Sequence, residues 1–86
     1  MSETSELRSA IARRLWDEFR GGAAVRQLTT SDFDYLANER QLAGNVNAVL
    51  EALAADGVIA INPMGDDYVV RAVLAPERLA LEAGQG

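Results

Sequence analysis

Residues Gly44 to Ile61, GNVNAVLEALAADGVIAI, predict a helix that ends at a glycine and continues directly into a strand. Four apolar residues of this stretch recur at helical spacing and predict one buried face. They are Val46, Val49, Leu50 and Leu53. Asn45 can cap the helix because its side chain accepts from an unpaired backbone N–H, and Gly57 can adopt the left-handed conformation that ends it. Residues 58–61 include β-branched side chains that favour a strand.

The segment before this stretch predicts two further helices. In the first, from about Ser5 to Arg20, the apolar residues lie three to four apart, and two glycines follow its end. Its apolar stripe consists of Leu7, Ile11, Ala12, Leu15, Trp16 and Phe19. We interpret Trp16 as a core anchor, with an exposed interface role as the minority alternative. The second helix is expected to begin at the cap Ser31 and to end by Gln41 or Leu42.

Short strands are predicted on either side of these helices. Residues Ala23 to Leu28 indicate a brief edge strand, which needs a partner elsewhere in the chain. The partner we expect is a hairpin with arms Val58–Asn62 and Tyr68–Val73, joined by a turn over residues 63–67. Pro76 then opens a short final helix, for which Leu79 and Leu81 are candidates for the inward face.

Composition excludes several classes of function. The 86 residues are enough for one small domain, and they contain neither cysteine nor histidine. The commonest metal ligands and the commonest general base are therefore missing, so we expect no metal, no cofactor and no enzymatic activity. The polar start, MSETSELRSAIARR, predicts neither a leader sequence nor a membrane span, and hence a cytoplasmic protein.

Charge is distributed unevenly along a chain whose formal net charge is −5. Residues 1–30 carry five arginines and four carboxylates, whereas residues 31–86 carry three arginines and nine carboxylates. The helix that begins at Asn45 lies in this acidic half. If that helix contacts nucleic acid, the carboxylates around it repel the phosphates.

The predicted order of helix, short strand, helix, turn, helix and hairpin resembles the winged helix-turn-helix superfamily. The segment LANERQLAGNVNAVLEALAADGVIAI is similar to its core signature, and the resemblance covers about Leu7 to Val73. Its strongest local mark is the set Leu50, Leu53, Gly57, Val58 and Ile59. The resemblance implies an α+β domain over residues 1–86, with a core over about 7–73. The implied domain has three helices, a small antiparallel sheet and a C-terminal helix at about 76–82. The sheet consists of the short strand and a wing hairpin.

In many bacterial and archaeal members of this superfamily, which regulate transcription, the third helix enters the major groove and the wing touches the backbone or minor groove. By this resemblance we expect association with double-stranded DNA. Asparagine can pair with adenine edges, glutamate can accept from cytosine, and arginine can contact phosphate. The candidate nucleic-acid-binding residues are Asn45, Asn47, Ala48, Glu51, Arg40 and Arg26. DNA-binding members usually carry cations at these places, whereas the wing tip here offers Asp66 and Asp67.

A protein-interaction role is the alternative. Ala48, Ala52 and Ala55 form a smooth face of small residues on the same helix, which would let another helix approach closely. A partner protein or a second copy of the chain is therefore expected there if DNA is not bound. Alanine is also the best helix former, so an unpartnered solvent surface is the other interpretation of this face.

Overall fold

The structure, a computed structural model, describes residues 3–20 and 28–84 and confirms the α+β class. Within these ranges there are four helices and a two-stranded antiparallel sheet, and the sheet packs mainly against the second and third helices. In chain order the elements are α1 (Glu3–Arg20), α2 (Thr30–Glu39), α3 (Val46–Ala55), β1 (Ile59–Met64), β2 (Asp67–Val73) and α4 (Pro76–Glu82). None of the helices in the described part of the chain is both long and apolar enough to cross a bilayer.

Local side chains set the ends of α2 and α3. The Asn45 side chain accepts a hydrogen bond from the Ala48 N–H at 3.1 Å, and Gly57 has a φ of +76°, so both predicted ends of α3 are confirmed. The prediction for α2 was wrong by two residues, because its N-cap is Thr29 and not Ser31. The Asp32 carboxylate accepts from the Thr29 N–H at 2.9 Å, which fixes the earlier start.

The core lies where the helical stripes of α1 and α3 meet. All four apolar residues predicted to face inward on α3 are buried. On α1 the fully buried residues are Leu7, Ile11, Ala12 and Leu15. Trp16 is only half-buried, and it packs against the edge of this core while its ring stacks on Phe19 at 5.9 Å. It is therefore a peripheral anchor of the core.

Helix α4 presents a single inward face. Leu79 and Ala83 are four residues apart and both buried, whereas Leu81 is 66% exposed. The prediction that Leu79 faces inward is confirmed, whereas the prediction that Leu81 could face inward is wrong. Two residues along a helix correspond to a rotation of about 200°, so a residue two positions from Leu79 points to solvent.

The hairpin is longer than predicted, and its turn is shorter. β1 pairs with β2 from Ile59 opposite Val73 to Met64 opposite Asp67, so Pro63 and Met64 belong to the strand. The turn is formed by Gly65, with a φ of +64°, and Asp66. Ala60 pairs with Ala72 and Ile61 with Val70, which leaves Arg71 as the extra residue of a β-bulge in β2.

The predicted third strand is represented by a single bridge. Thr29 pairs with Val69, and the Leu28 carbonyl accepts a hydrogen bond from the Val70 N–H at 2.8 Å. This contact lies at the end of the predicted strand, and residues 23–27 of that strand lie outside the described residues. Where it is described, the sheet therefore has two strands and one bridge.

An arginine-centred cluster ties α1 to the ends of α3 and α4. The Arg8 guanidinium donates from Nε and Nη2 to the two carboxylate oxygens of Glu82, at 2.9 and 2.8 Å. Its Nη2 also lies 2.8 Å from Oδ2 of Asp56, and Arg78 donates to the Asp56 carbonyl. Cations are favourable at this position because the C-terminus of α3 carries a partial negative charge.

The same cluster predicts that the stability of the protein depends on pH. The hydrogen bond from Arg8 lowers the pKa of Asp56 below its ordinary value of 3.8. The unfolded chain therefore binds the proton more readily, and this stabilisation is present above about pH 4 and lost as the pH falls through the lowered pKa. We expect the urea midpoint of Arg8→Gln to fall less between pH 7 and pH 2.5 than that of the wild type.

Arg71→Gln is the matched control, because it removes the same charge from an exposed arginine outside the cluster. Its midpoint should follow the wild-type pH dependence. If Arg8→Gln retained the full wild-type pH dependence, Asp56 would not be responsible for it.

Candidate functional site

The predicted nucleic-acid residues of α3 and its cap do lie on one side of the helix. Asn45, Ala48, Glu51 and Ala55 are exposed, while Asn47 and Ala52 are partly buried. The proposed interaction residues Ala48 and Ala55 are thus accessible, and Ala52 lies deeper between them. This face adjoins the β1–β2 hairpin, and the contacts between the two determine which side chains are free.

Asn47 is engaged in the fold through both polar atoms of its side chain. Its Oδ1 accepts from the Thr30 hydroxyl at 2.7 Å, and its Nδ2 donates to the Asp66 carbonyl at 3.0 Å. The Thr30 hydroxyl in turn accepts from the Tyr68 N–H at 2.8 Å. One amide therefore joins α2, α3 and the tip of the hairpin.

Two further contacts hold the hairpin beside the helices. The Ser31 hydroxyl donates to the Asp67 carboxylate at 3.2 Å. The Tyr68 hydroxyl donates to the Glu51 carboxylate, and this hydrogen bond, together with burial and the nearby negative charge, raises the pKa of Tyr68. Glu51 is therefore exposed, but its carboxylate already accepts a hydrogen bond from Tyr68.

Carboxylates surround the beginning of α3. A shallow depression at this point is lined by Thr30, Asp34, Gly44, Asn45, Val46, Asn47 and Asp67. Asp34 and Asp67 bring negative charge to it, and none of the lining residues within 3–20 and 28–84 is an arginine. A phosphate approaching Asn45 would meet like charge from these two carboxylates.

Of the two predicted phosphate contacts, the one that the structure describes is not assembled with this face. Arg40 is exposed and lines a different groove, formed with α1 and the end of α4. Arg26 lies outside the described residues. The structure therefore brings together four of the six predicted nucleic-acid residues and places Arg40 in other surroundings.

The groove that contains Arg40 was not foreseen from the sequence. We call it the α1–α4 groove; its volume is about 420 Å³, and it is lined by Glu6, Ser9, Ala10, Arg13, Arg40, Leu42 and Ala83. The only sequence signal for it is the spacing of Glu6, Ser9 and Arg13, which places them along one side of α1. The other walls come from segments that are distant in sequence.

Comparison of the chain with protein-family models, with curated proteins and with solved structures found no match. Within residues 3–20 and 28–84 no group of three potential metal ligands is close enough to hold an ion.

The contacts of Asn47 predict an effect on stability. Asn47→Ala should lower the free energy of unfolding by about 1 to 3 kcal/mol, because it removes two hydrogen bonds and leaves the buried Thr30 hydroxyl with only the Tyr68 carbonyl, at 3.5 Å, as acceptor. Denaturant unfolding would measure this loss. Asn38→Ala is the control, since Asn38 is exposed on α2 and should change stability by less than about 0.5 kcal/mol. Equal midpoints for the two variants would contradict a structural role for Asn47.

Proposed function

We propose that this chain is a winged helix-turn-helix domain that acts as a protein-interaction module. In this assignment α2 and α3 are the helix pair and the β1–β2 hairpin is the wing. The observation that supports an interaction role is the depression at the start of α3, where Asp34 and Asp67 are the charged residues among the described part of the lining. The domain keeps the arrangement of helices and wing but offers a surface that repels phosphate.

The energetics of duplex binding favour this interpretation. Affinity for DNA comes largely from arginine and lysine that neutralise phosphates. The chain has no lysine, and the arginines Arg8 and Arg78 are engaged at the end of α3 with Asp56. Asn47, the best candidate for reading a base edge, is held by Thr30 and the hairpin, and it would have to break both contacts to reach a base.

The exposed side of α3 offers a contact surface for protein. Ala48 and Ala55 have small side chains, so a helix of another chain could approach the backbone closely. A second copy of the chain is the simplest partner, because a two-fold axis beside α3 would bring the same face of both copies together. The proposed contact is therefore a homodimer built on α3.

Association with duplex DNA is the alternative function. The observation that favours it is a set of exposed guanidinium groups on Arg13, Arg14, Arg20, Arg40 and Arg71. Arg13 and Arg14 are each paired with a carboxylate one turn away, at 3.5 and 3.2 Å, and Arg20 lies 3.9 Å from the Asp17 carboxylate. These pairs reduce the net contribution of the three arginines. Arg40 and Arg71 are then the residues on which duplex binding would depend most.

A salt titration separates the two functions. The wild type is mixed with a pool of random-sequence duplexes at low ionic strength, where attraction to phosphates is strongest. We expect no binding. If duplex affinity fell steeply with salt, and if Arg40→Ala reduced the slope of log affinity against log salt concentration by about one, the interaction proposal would be contradicted. That result would support the DNA alternative.

Sedimentation equilibrium tests the α3 contact itself. The wild type should show a concentration-dependent dimer, and Ala48→Arg should shift it to monomer because a long charged side chain separates the two helices. Asn38→Arg is the matched control, since it adds the same charge at an exposed position on α2. A wild type that stays monomeric would contradict a homodimer on α3.

A further inference from the structure

We propose that the α1–α4 groove is a docking site for a short peptide segment in which a carboxylate lies next to a bulky apolar side chain. This groove is separate from the exposed face of α3, and its role does not depend on the function proposed for that face. The groove has an apolar floor, two arginines on its rim and opposite charges spaced along α1.

The floor of the groove is formed by apolar side chains, two of which are small. Ala10 and Ala83 are 7% and 8% exposed, and Leu42 packs partly buried beside them. Alanines leave room above the core where larger residues would fill it, and the resulting concavity of about 420 Å³ is within the range of small binding pockets. A leucine, isoleucine or phenylalanine side chain of a partner would cover this surface and remove it from water.

The rim supplies guanidinium groups with free donors. Among the described residues Arg40 makes no ion pair and no side-chain hydrogen bond, and the only such contact of Arg13 is with Asp17 at 3.5 Å. Arg8 is occupied by Asp56 and Glu82. A guanidinium group binds a carboxylate through two parallel N–H donors, so Arg13 and Arg40 together favour an acidic partner residue.

Charge along the groove sets the direction of the bound segment. Glu6 and Arg13 are seven residues apart on α1, which places them about 10 Å apart along the helix axis on the same side. Along α1 the groove therefore has a carboxylate towards one end and a guanidinium group towards the other. A segment with its carboxylate confined to one end fits this arrangement, whereas a polyanion such as nucleic acid would also meet Glu6 and the net charge of −5.

The experiment begins by selecting peptides from a phage-displayed random library on the immobilised full-length protein. We expect the enriched sequences to combine aspartate or glutamate with a neighbouring leucine, isoleucine or phenylalanine. The most enriched peptide is then synthesised with a fluorescent label and used as the probe in anisotropy titrations. Arg13→Gln and Arg40→Gln should each weaken its binding about tenfold or more, because a charge-assisted contact is lost.

Three further variants locate the binding site. Ser9→Trp should abolish binding, because Ser9 is exposed on the rim and a large side chain there would fill the groove. Arg71→Gln removes the same charge from an exposed arginine outside the groove and should leave binding unchanged. Ala48→Arg alters the α3 face and should also leave it unchanged. Thermal unfolding of each variant establishes that it is folded.

The outcomes separate this proposal from the function proposed for α3. If the enriched peptides lacked a carboxylate, or if no peptide were enriched, the proposal that the groove binds acidic segments would be overturned. Binding that resists both arginine substitutions and Ser9→Trp but is lost in Ala48→Arg would overturn it too, while placing the contact on α3. Displacement of the probe by a random-sequence duplex at low salt would show that phosphate is preferred, and would overturn the proposal in favour of nucleic acid.

Discussion

Leu53→Ala is expected to lower the free energy of unfolding by about 2 to 5 kcal/mol, which is a large share of the stability of a domain this small. Leu53 has no exposed surface and belongs to the single cluster in which α1, α3 and the hairpin meet. Truncation removes apolar contacts and leaves a cavity that the surrounding helices cannot fully close. Urea unfolding followed by circular dichroism would measure the change.

The chain contains a matched control for this substitution. Leu81→Ala is the same chemical change on α4, but Leu81 is 66% exposed, so its cost should stay below about 0.5 kcal/mol. A Leu53→Ala midpoint equal to that of Leu81→Ala would mean that the buried face of α3 has been assigned incorrectly.

Gly44→Ala should have the second largest effect, about 2 to 4 kcal/mol. Gly44 has a φ of +132°, which residues with a side chain rarely adopt. A Cβ atom at this position would also lie 2.8 Å from Cδ2 of Leu7, a residue that is itself fully buried. Leu7 can move away only by disturbing the core, so the substitution combines backbone strain with overpacking. Thermal and urea unfolding would both report it.

Gly57→Ala separates these two causes. Gly57 also has a positive φ, +76°, but an added Cβ would meet no atom within 4 Å. Its replacement should therefore cost only the backbone strain, about 1 to 2 kcal/mol. If the two variants were equally stable, the close approach of Gly44 to Leu7 would have no energetic consequence.

Features encoded by neighbouring residues were predictable from the sequence. The Asn45 cap, the glycine that ends α3 and the buried stripe of α3 depend on side chains within about one helical turn of each other, and the structure confirms them. On α1 the predicted stripe is buried from Leu7 to Leu15, whereas Trp16 and Phe19 are only partly buried. The start of α2 was misplaced because three consecutive hydroxyl residues, TTS, can all cap a helix. The position of Asp32 relative to Thr29 decides among them.

Features encoded by distant residues were not predictable. The partners of Asn47 lie 17 and 19 residues away, and those of Arg8 lie 48 and 74 residues away. No local spacing indicates such pairs, so the sequence presents Asn47 as a candidate for reading a base edge, whereas in the structure it links the helices to the hairpin. The α1–α4 groove was missed for the same reason, because Arg13, Leu42 and Ala83 meet only after folding.

The bulge at Arg71 and the proline in β1 bear on how this protein behaves when it is concentrated. In the described part of the chain β1 pairs on one side only, so its outer edge could in principle be extended by a strand from another molecule. Pro63 offers no N–H to such a strand, and the bulge strengthens the local twist of the hairpin. A flat, continuous ladder of the kind that seeds fibrils is therefore interrupted within six residues, which protects the folded domain against growth into cross-β aggregates.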